Sequence, residues 1–269
     1  MIELFEQQLK TPDKHSSKGN QLKWENEGIW YKADYTGYEG LAEYVVSRLM
    51  EYSTLNEDEY IIYDIEQIKY RNQVFLGAKS KNMLTDDWQI ITLERLFKNQ
   101  FNQSLHTILW TIQDVKERLR FLCDQTARIT GIESFGQYMT KLFTIDAFFK
   151  NEDRHTHNIA ILMNGKGEYK LCPIFDNGAA LLADTKLDYP IDEDVYALME
   201  SVQAKTISTD FDEQLDAAEE LYGQQILFHF TRKDVEEVLV GANLYGPKER
   251  ERVKTILYHQ MRKYSYLFR

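Results

Sequence analysis

Cysteine is scarce in this chain, and its scarcity excludes a disulfide scaffold. Only two cysteines, Cys123 and Cys172, occur among 269 residues, and they lie far apart without the spacing of a metal site. We expect two buried thiols in a reducing compartment. Proline is also rare, with four residues, and no low-complexity tract is present, so no long flexible linker is predicted.

Positive charge is in short supply as well. The 32 lysines and arginines are outnumbered by 43 acidic residues, which gives a formal net charge of −11. A nucleic-acid-binding surface needs a clustered excess of basic residues, so direct binding to nucleic acid is not expected. The sequence also lacks an apolar run long enough to span a membrane and a basic, then apolar, leader at its start. We therefore expect a cytoplasmic protein that does not act at a membrane.

The first third of the chain combines short strands with one helix. The aromatic-rich, alternating run at residues 28–34 predicts a strand, and residues 38–53 carry apolar side chains at helical spacing. Residues 59–68 and 72–80 are two further strand candidates. This part predicts a small β-rich lobe with one helix, residues 1–84.

The rest of the chain, residues 85–269, has a helical texture that one hairpin interrupts. Apolar spacing and capping residues predict four helical stretches, at residues 91–99, 114–131, 134–151 and 246–268. After the third stretch, two short strands are joined by a Gly-Lys-Gly turn, and the second strand ends on Asp-Asn-Gly. The predicted fold class is α+β, with a small β-rich lobe followed by a larger helical lobe.

The stretch "FFKNEDRHTHNIAIL", Phe148 to Leu162, concentrates polar groups between two apolar segments. Asp153 is followed five positions later by Asn158, and the hairpin returns the chain to Asp176 at the same end. Phosphoryl transfer needs a carboxylate that accepts the proton of the attacking hydroxyl, and oxygen ligands for Mg²⁺. Protein kinases meet this need with an Asp, an Asn five residues later, and a second Asp after the next hairpin. The order of these residues favours a phosphotransfer site.

Each piece of this pattern has an ordinary structural explanation when it is taken alone. An Asp-Arg-His string is more often a solvated loop, and Asp-Asn-Gly is a common turn. Lys32, in the middle of the strand "IWYKAD", could point to solvent, and Glu43 on the next helix could be a surface acid, as could Glu39 or Glu51. A strand Lys paired with a Glu of the following helix is, however, the device by which kinases hold the α- and β-phosphates. The full set in this order favours the functional interpretation.

The sequence resembles the HipA-like serine/threonine kinases, the kinase components of bacterial toxin–antitoxin systems. The similarity is carried by the motifs "YKAD", "EGLAEYVVSRL", "NEDRHTHNIAIL", "PIFDNG" and "TDFDEQL". It implies a bilobal protein-kinase-like fold. The Asp-Arg-His-x-x-Asn order also occurs in lipid phosphoinositide kinases and differs from the His-Arg-Asp order of ordinary protein kinases. The chain looks like a short form that lacks the N-terminal subdomain of longer members, because Lys32 comes so early.

The resemblance implies a role for each residue of the second lobe's motifs. Asp153 would be the catalytic base, and His155 would support the loop or the γ-phosphate. Asn158 and Asp176 would hold Mg²⁺.

It also implies a nucleotide site in the first lobe. Lys32 would contact the ATP phosphates, and Glu43 would orient it. The segment "KHSSKGNQLKW" would cover the phosphates, with Ser16, Ser17 and Gly19 placing backbone N–H groups near phosphate oxygens. Ser16 or Ser17 would be the candidate site of silencing autophosphorylation, and the alternative is a plain polar loop. The adenine would lie near the connection at residues 77–84.

The resemblance implies an ATP- and Mg²⁺-dependent protein kinase, a toxin kinase able to autophosphorylate. Its substrate would be a protein such as a translation factor or an aminoacyl-tRNA synthetase, and its partner a helix-turn-helix antitoxin. Two alternatives stay open: a kinase of a lipid or small molecule, and a non-catalytic nucleotide-binding scaffold. The chain has no polybasic segment for a lipid surface, and a scaffold would not need Asp153, Asn158 and Asp176 together.

Overall fold

The computed structural model describes residues 1–10, 21–85 and 87–269. These fall into two compact units, each discontinuous in sequence. The first comprises Met1–Met83, Phe175–Ser201 and Leu227–Arg269, and the second comprises Leu84–Ile174 and Val202–Ile226. The predicted lobes, 1–84 and 85–269, are continuous segments, and that division stays a prediction.

The first unit contains a six-stranded sheet in the order β1-β5-β6-β4-β3-β2. Its outer strand β1 runs parallel to β5, and the other neighbours are antiparallel. One face of the sheet covers a core cluster that contains Trp24, Tyr31, Ala33 and Ile68. The strands are Ile2–Leu4 (β1), Leu9–Lys10 (β2), Lys23–Asn26 (β3), Ile29–Ala33 (β4), Asp64–Tyr70 (β5) and Gln73–Lys81 (β6).

Helix α1, Glu39–Met50, packs against this sheet along an apolar stripe that includes the fully buried Leu41, Val45 and Leu49. The helix begins very close to β6. A Cβ atom on Gly40 would lie 2.5 Å from the backbone carbon of Gly77, so only glycine permits this approach. The close packing fixes the position of Glu43, one turn further along the helix.

Three more helices complete the first unit: Val195–Ser201 (α6), Arg232–Gly241 (α8) and Pro247–Lys263 (α9). Helix α9 begins at Pro247, as predicted, because proline is preformed for the first helical turn and needs no N–H partner there. Helix α8 begins with a reciprocal capping box between Thr231 and Asp234.

The second unit is helical and carries a three-stranded antiparallel sheet in the order β7-β8-β9. Its helices are Leu93–Phe101 (α2), Leu105–Thr111 (α3), Val115–Thr130 (α4), Phe135–Phe149 (α5) and Phe211–Tyr222 (α7), and its strands are Trp88–Thr92 (β7), Ala160–Asn164 (β8) and Tyr169–Leu171 (β9). Gly131 ends α4 in the left-handed conformation, with φ +75°, as the sequence predicts. Ser134 precedes α5 as predicted, but its side chain makes no capping hydrogen bond. Both cysteines are buried.

Several local expectations differ from the structure, among them the strand predicted at residues 59–68, which begins at Asp64. The predicted helix at residues 91–99 begins two residues later, because Ile91 and Thr92 pair with β8 as the end of strand β7. The second strand of the hairpin was expected to continue to Asp176, but β9 ends at Leu171. Pro173, two residues later, has no N–H to donate to a neighbouring strand. The short strands β1, β2 and β3 were not predicted. None of them has more than four residues, which is too short to show a clear alternation.

Within the described residues, no helix combines the length and the apolar character that a bilayer span requires.

A partly buried carboxyl group lies at the start of α1. Asp34 accepts hydrogen bonds from the Gly40 N–H at 2.6 Å and from the Tyr245 hydroxyl at 2.9 Å. Glu39 lies nearby and accepts the N–H groups of Thr36 and Gly37. Burial, and then the charge of Glu39, raises the pKa of Asp34 to about 7, although its hydrogen bonds and Lys186 oppose the shift.

We expect Asp34→Asn to stabilise the protein more at pH 8 than at pH 5. The folded state holds a proton on Asp34 up to about pH 7, whereas the unfolded chain releases it near 3.8. The stability contribution of this group is therefore present at low pH and is lost as the pH rises through the folded pKa. Asparagine is neutral throughout and keeps an acceptor for Gly40, so the gain at pH 8 should be on the order of 2 kcal/mol. Denaturant unfolding at both pH values measures it.

Asp58, an exposed residue of the same unit, provides a control. Asp58→Asn removes a carboxylate that is in contact with solvent. An Asp34→Asn effect of equal size at pH 5 and pH 8 would contradict the assignment.

Candidate active site

Lys32 lies in β4, a central strand of the first unit's sheet. Its neighbours Tyr31 and Ala33 belong to the core cluster on one face of the sheet. Because side chains alternate along a strand, Lys32 projects from the opposite face, the face that α1 covers. The local pattern of the sequence thus places a lysine under the helix that carries Glu43.

Lys32 is held by two carboxylates. Its Nζ atom lies 2.7 Å from Glu43 Oε1 and 2.8 Å from Asp176 Oδ1, and 5.3 Å from the centre of the Tyr63 ring. The exposed fractions of the three charged side chains are 14% for Lys32, 2% for Glu43 and 27% for Asp176. Burial opposes the charge of Lys32, but Asp176 and Glu43 outweigh it and raise its pKa well above the ordinary value. Lys32 is therefore a fixed, permanently charged cation.

Glu43 makes a second contact that the sequence pattern does not indicate. Its Oε2 atom accepts the backbone N–H of Asn177 at 2.9 Å, while Oε1 binds Lys32. One carboxylate thus joins strand β4 to the turn that carries Asp176. Asp176 itself has φ +62°, a left-handed conformation that Asp tolerates better than most residues. We term Lys32, Glu43 and Asp176 the lysine triad.

The second unit holds the loop of residues 150–158, which we term the acidic loop. The Asn158 Nδ2 atom donates to the Asp153 carbonyl at 2.8 Å and to Asp153 Oδ2 at 3.1 Å. His155 Nε2 lies 3.7 Å from Asp153 Oδ1. The backbone N–H of His157 donates to His155 Nδ1 at 3.2 Å, so the neutral ring carries its proton on Nε2, toward Asp153. The loop brings Asp153, His155 and Asn158 together.

Two buried charged residues support the acidic loop, and neither was predicted from the sequence as a functional residue. Arg154 is 2% exposed, and its Nε atom lies 3.2 Å from both carboxylate oxygens of Asp146 on α5. Asp146 also accepts Asn151 Nδ2 at 3.0 Å. Burial raises the pKa of Asp146 to about 6, and the guanidinium of Arg154 lowers it in opposition. The feature of the sequence that could have indicated this pair is Asp146, the one acid in the mostly apolar helix α5.

Glu94 on α2 fixes a further point of the same loop. Its carboxylate accepts the Thr156 hydroxyl at 2.9 Å and the backbone N–H groups of Leu105 and His106, each at 3.1 Å. Burial opposes its charge, but these hydrogen bonds, together with one from Ser104, lower its pKa. The loop is therefore anchored to α2 and α5, and the same Glu94 carboxylate also binds the start of α3.

The donor set of the predicted metal site has the chemistry that Mg²⁺ prefers. Within the described ranges, no group of three His, Cys, Asp or Glu side chains is arranged to hold a metal ion. Mg²⁺ bound with a nucleotide uses only one or two carboxylates beside phosphate oxygens and water. The side-chain hydrogen bonds of Asn158 to described residues are donated by Nδ2, so its amide oxygen can serve as a ligand. Asn158 and Asp176 thus fit a magnesium–nucleotide site by donor type.

The site residues therefore fall into two groups, one in each unit. Lys32, Glu43 and Asp176 meet in the first unit, and Asp153, His155 and Asn158 meet in the second. The convergence of Asp153, Asn158 and Asp176 on one cation stays a prediction, as do the roles of all six residues. Residues 11–20, which include Ser16, Ser17 and Gly19, lie outside the described part of the chain, so the predicted phosphate loop stays a prediction as well.

The fold of the chain is kinase-like. Solved structures of kinases share this fold, and the predicted α+β kinase-like fold is confirmed. One of them is the Helicobacter pylori proinflammatory kinase CtkA, with 15% sequence identity and a TM-score of 0.62 over 97% of this chain and 94% of that chain. Another is HipA in the Shewanella oneidensis MR-1 toxin–antitoxin complex with HipB and operator DNA, with 11% identity and a TM-score of 0.46 over 96% of this chain and 67% of that chain.

At the level of sequence, no family model matches this chain. No curated protein matches it significantly.

Proposed function

We propose that this chain is an ATP- and Mg²⁺-dependent protein serine/threonine kinase of the HipA-like type. The observation that carries the proposal is the lysine triad, in which a strand lysine, a helix glutamate and an aspartate of the later turn form one partly buried ionic cluster. Kinases need such a lysine to hold the nucleotide phosphates. The confirmed kinase-like fold supports the same function.

Lys32 binds the α- and β-phosphates in this proposal. Its ammonium group is a compact point charge, and Glu43 holds it in place under α1. Because Glu43 also accepts the Asn177 N–H, one carboxylate joins the lysine to the turn that carries Asp176. Mg²⁺, when bound through Asp176 and Asn158, supplies neutralisation of the phosphate charge.

Asp153 is the catalytic base. The substrate hydroxyl oxygen bonds to the γ-phosphorus of ATP, the bond between that phosphorus and the bridging β–γ oxygen breaks, and the hydroxyl proton passes to Asp153. ADP leaves with the bridging oxygen. Asn158 Nδ2 donates to Oδ2 of Asp153, and His155 Nε2 lies 3.7 Å from Oδ1, so both side chains help to keep the carboxylate in place.

The identities of substrate and partner belong to the same proposal. A protein substrate, such as a translation factor or an aminoacyl-tRNA synthetase, and a helix-turn-helix antitoxin follow from the HipA-like resemblance of the motifs. Autophosphorylation at Ser16 or Ser17 is the form of regulation that the same resemblance suggests.

The test is phosphate transfer from labelled ATP. We expect the purified protein, with Mg²⁺, to label itself or a protein of a cell extract, on serine or threonine, and chelation of Mg²⁺ should abolish the label. Phosphoamino acid analysis identifies the acceptor. Label confined to extracted lipid or to a small molecule would replace the proposal by a lipid or metabolite kinase. Nucleotide binding without any phosphate transfer would instead indicate a non-catalytic nucleotide-binding scaffold.

A further inference from the structure

Arg154 is a buried junction of the acidic loop, although it follows Asp153 directly in sequence. Its guanidinium binds Asp146 through Nε, and its Nη1 atom donates to the Asn158 carbonyl at 3.2 Å. Arg154 therefore ties α5 to the part of the loop that carries Asn158. Its side chain points into the second unit, with 2% exposure, and not to solvent.

The backbone of Arg154 is held from a different part of the chain. The hydroxyl of Thr206, a fully buried residue, donates to the Arg154 carbonyl. This carbonyl belongs to the peptide group between Arg154 and His155, immediately after Asp153. Thr206 thus contacts the loop one residue after Asp153.

The segment that carries Thr206 is itself held firmly. Arg118 on α4 donates to the Ile207 carbonyl at 2.7 Å, and the Ala204 N–H donates to the Thr209 carbonyl at 3.0 Å. Asp210 then caps α7 by accepting the N–H groups of its first turn. The motif "TDFDEQL", residues 209–215, therefore follows directly after the segment whose Thr206 contacts the acidic loop.

We propose that Thr206 is a positioning residue for Asp153 and acts through the Arg154 carbonyl. The inference rests on the proposed function, since it assigns Thr206 to the geometry of the same base. A buried hydroxyl–carbonyl bond favours one loop conformation, because removal of the hydroxyl takes a donor away from a carbonyl of a buried residue. A small displacement of a general base lowers transfer strongly without weakening nucleotide binding.

The experiment compares Thr206→Val, which replaces the hydroxyl by a methyl group of similar size, with Thr206→Ser, which keeps the hydroxyl. We expect Thr206→Val to lower kcat about tenfold with an unchanged KM for ATP. Hydrogen exchange of peptides that cover residues 150–158 should be about tenfold faster. Thr206→Ser should restore both quantities. If Thr206→Val does not fold, Thr206→Ala provides the same deletion without the branched side chain.

Thr126 provides a matched control. It is a fully buried threonine of the same unit whose hydroxyl donates to the Leu122 carbonyl within α4, at 2.7 Å. Thr126→Val should change neither kcat nor exchange in the loop. Unchanged loop exchange in Thr206→Val, or equal changes in Thr126→Val, would overturn the inference. If the wild type transfers no phosphate, the proposed function fails, while the exchange comparison still decides whether Thr206 holds the loop.

Discussion

Asp153→Asn should lower the rate of phosphate transfer by about a thousandfold or more and leave ATP affinity within about twofold of the wild type. The amide has nearly the shape of the carboxylate and keeps an oxygen for Asn158 Nδ2, so the loop should keep its conformation. It cannot accept the hydroxyl proton, which is the function that the proposal gives to Asp153. Single-turnover transfer and binding of a fluorescent nucleotide measure the two quantities separately.

Asp124→Asn is the control for this variant, because Asp124 is an exposed carboxylate on α4 of the same unit. It should transfer phosphate at the wild-type rate. If Asp153→Asn also retains that rate, Asp153 is not the base. If Asp153→Asn loses nucleotide binding together with transfer, the residue serves the nucleotide site and not the proton transfer.

The sequence predicted best those elements whose signals are local. Helices α4 and α9 carry their own boundaries, in the left-handed Gly131 and in Pro247 at the first turn. Strand β4 was predicted from its alternation, and that alternation also separates Lys32 from the core residues Tyr31 and Ala33.

The contacts that the sequence did not predict join distant residues. Asp176 reaches Lys32 across 144 positions, and the Asn177 N–H reaches Glu43 across 134. No periodicity specifies such pairs, because they depend on how whole segments pack. The order of the motifs indicated that these residues belong together, but not that one glutamate binds both the lysine and the later turn.

The burial of Arg154 in the acidic loop could not be predicted, for a related physical reason. An Asp-Arg-His string is typical of solvated loops, yet Arg154 is buried because Asp146, on an apolar helix, supplies its counter-charge. Burial of a charge depends on a partner that local sequence does not name. Asp146 stands out in the sequence as an acid within a mostly apolar helix. A buried carboxylate needs a buried cation as its partner, but the sequence does not show that this cation is Arg154.

Asp176→Asn should abolish the strengthening of ATP binding by Mg²⁺, and with it most phosphate transfer. In the wild type we expect Mg²⁺ to tighten nucleotide binding on the order of 10- to 100-fold, through one carboxylate ligand and the phosphate oxygens. The same substitution removes the 2.8 Å ion pair with Lys32 and leaves the lysine to Glu43 and the nucleotide. Affinity for ATP without metal should therefore stay the same or rise.

Titrations with Mg²⁺ and with a chelator separate the two effects, and Asp58→Asn, in the same unit, should behave as the wild type. A variant that keeps the full Mg²⁺ dependence would show that Asp176 serves only as the ionic partner of Lys32.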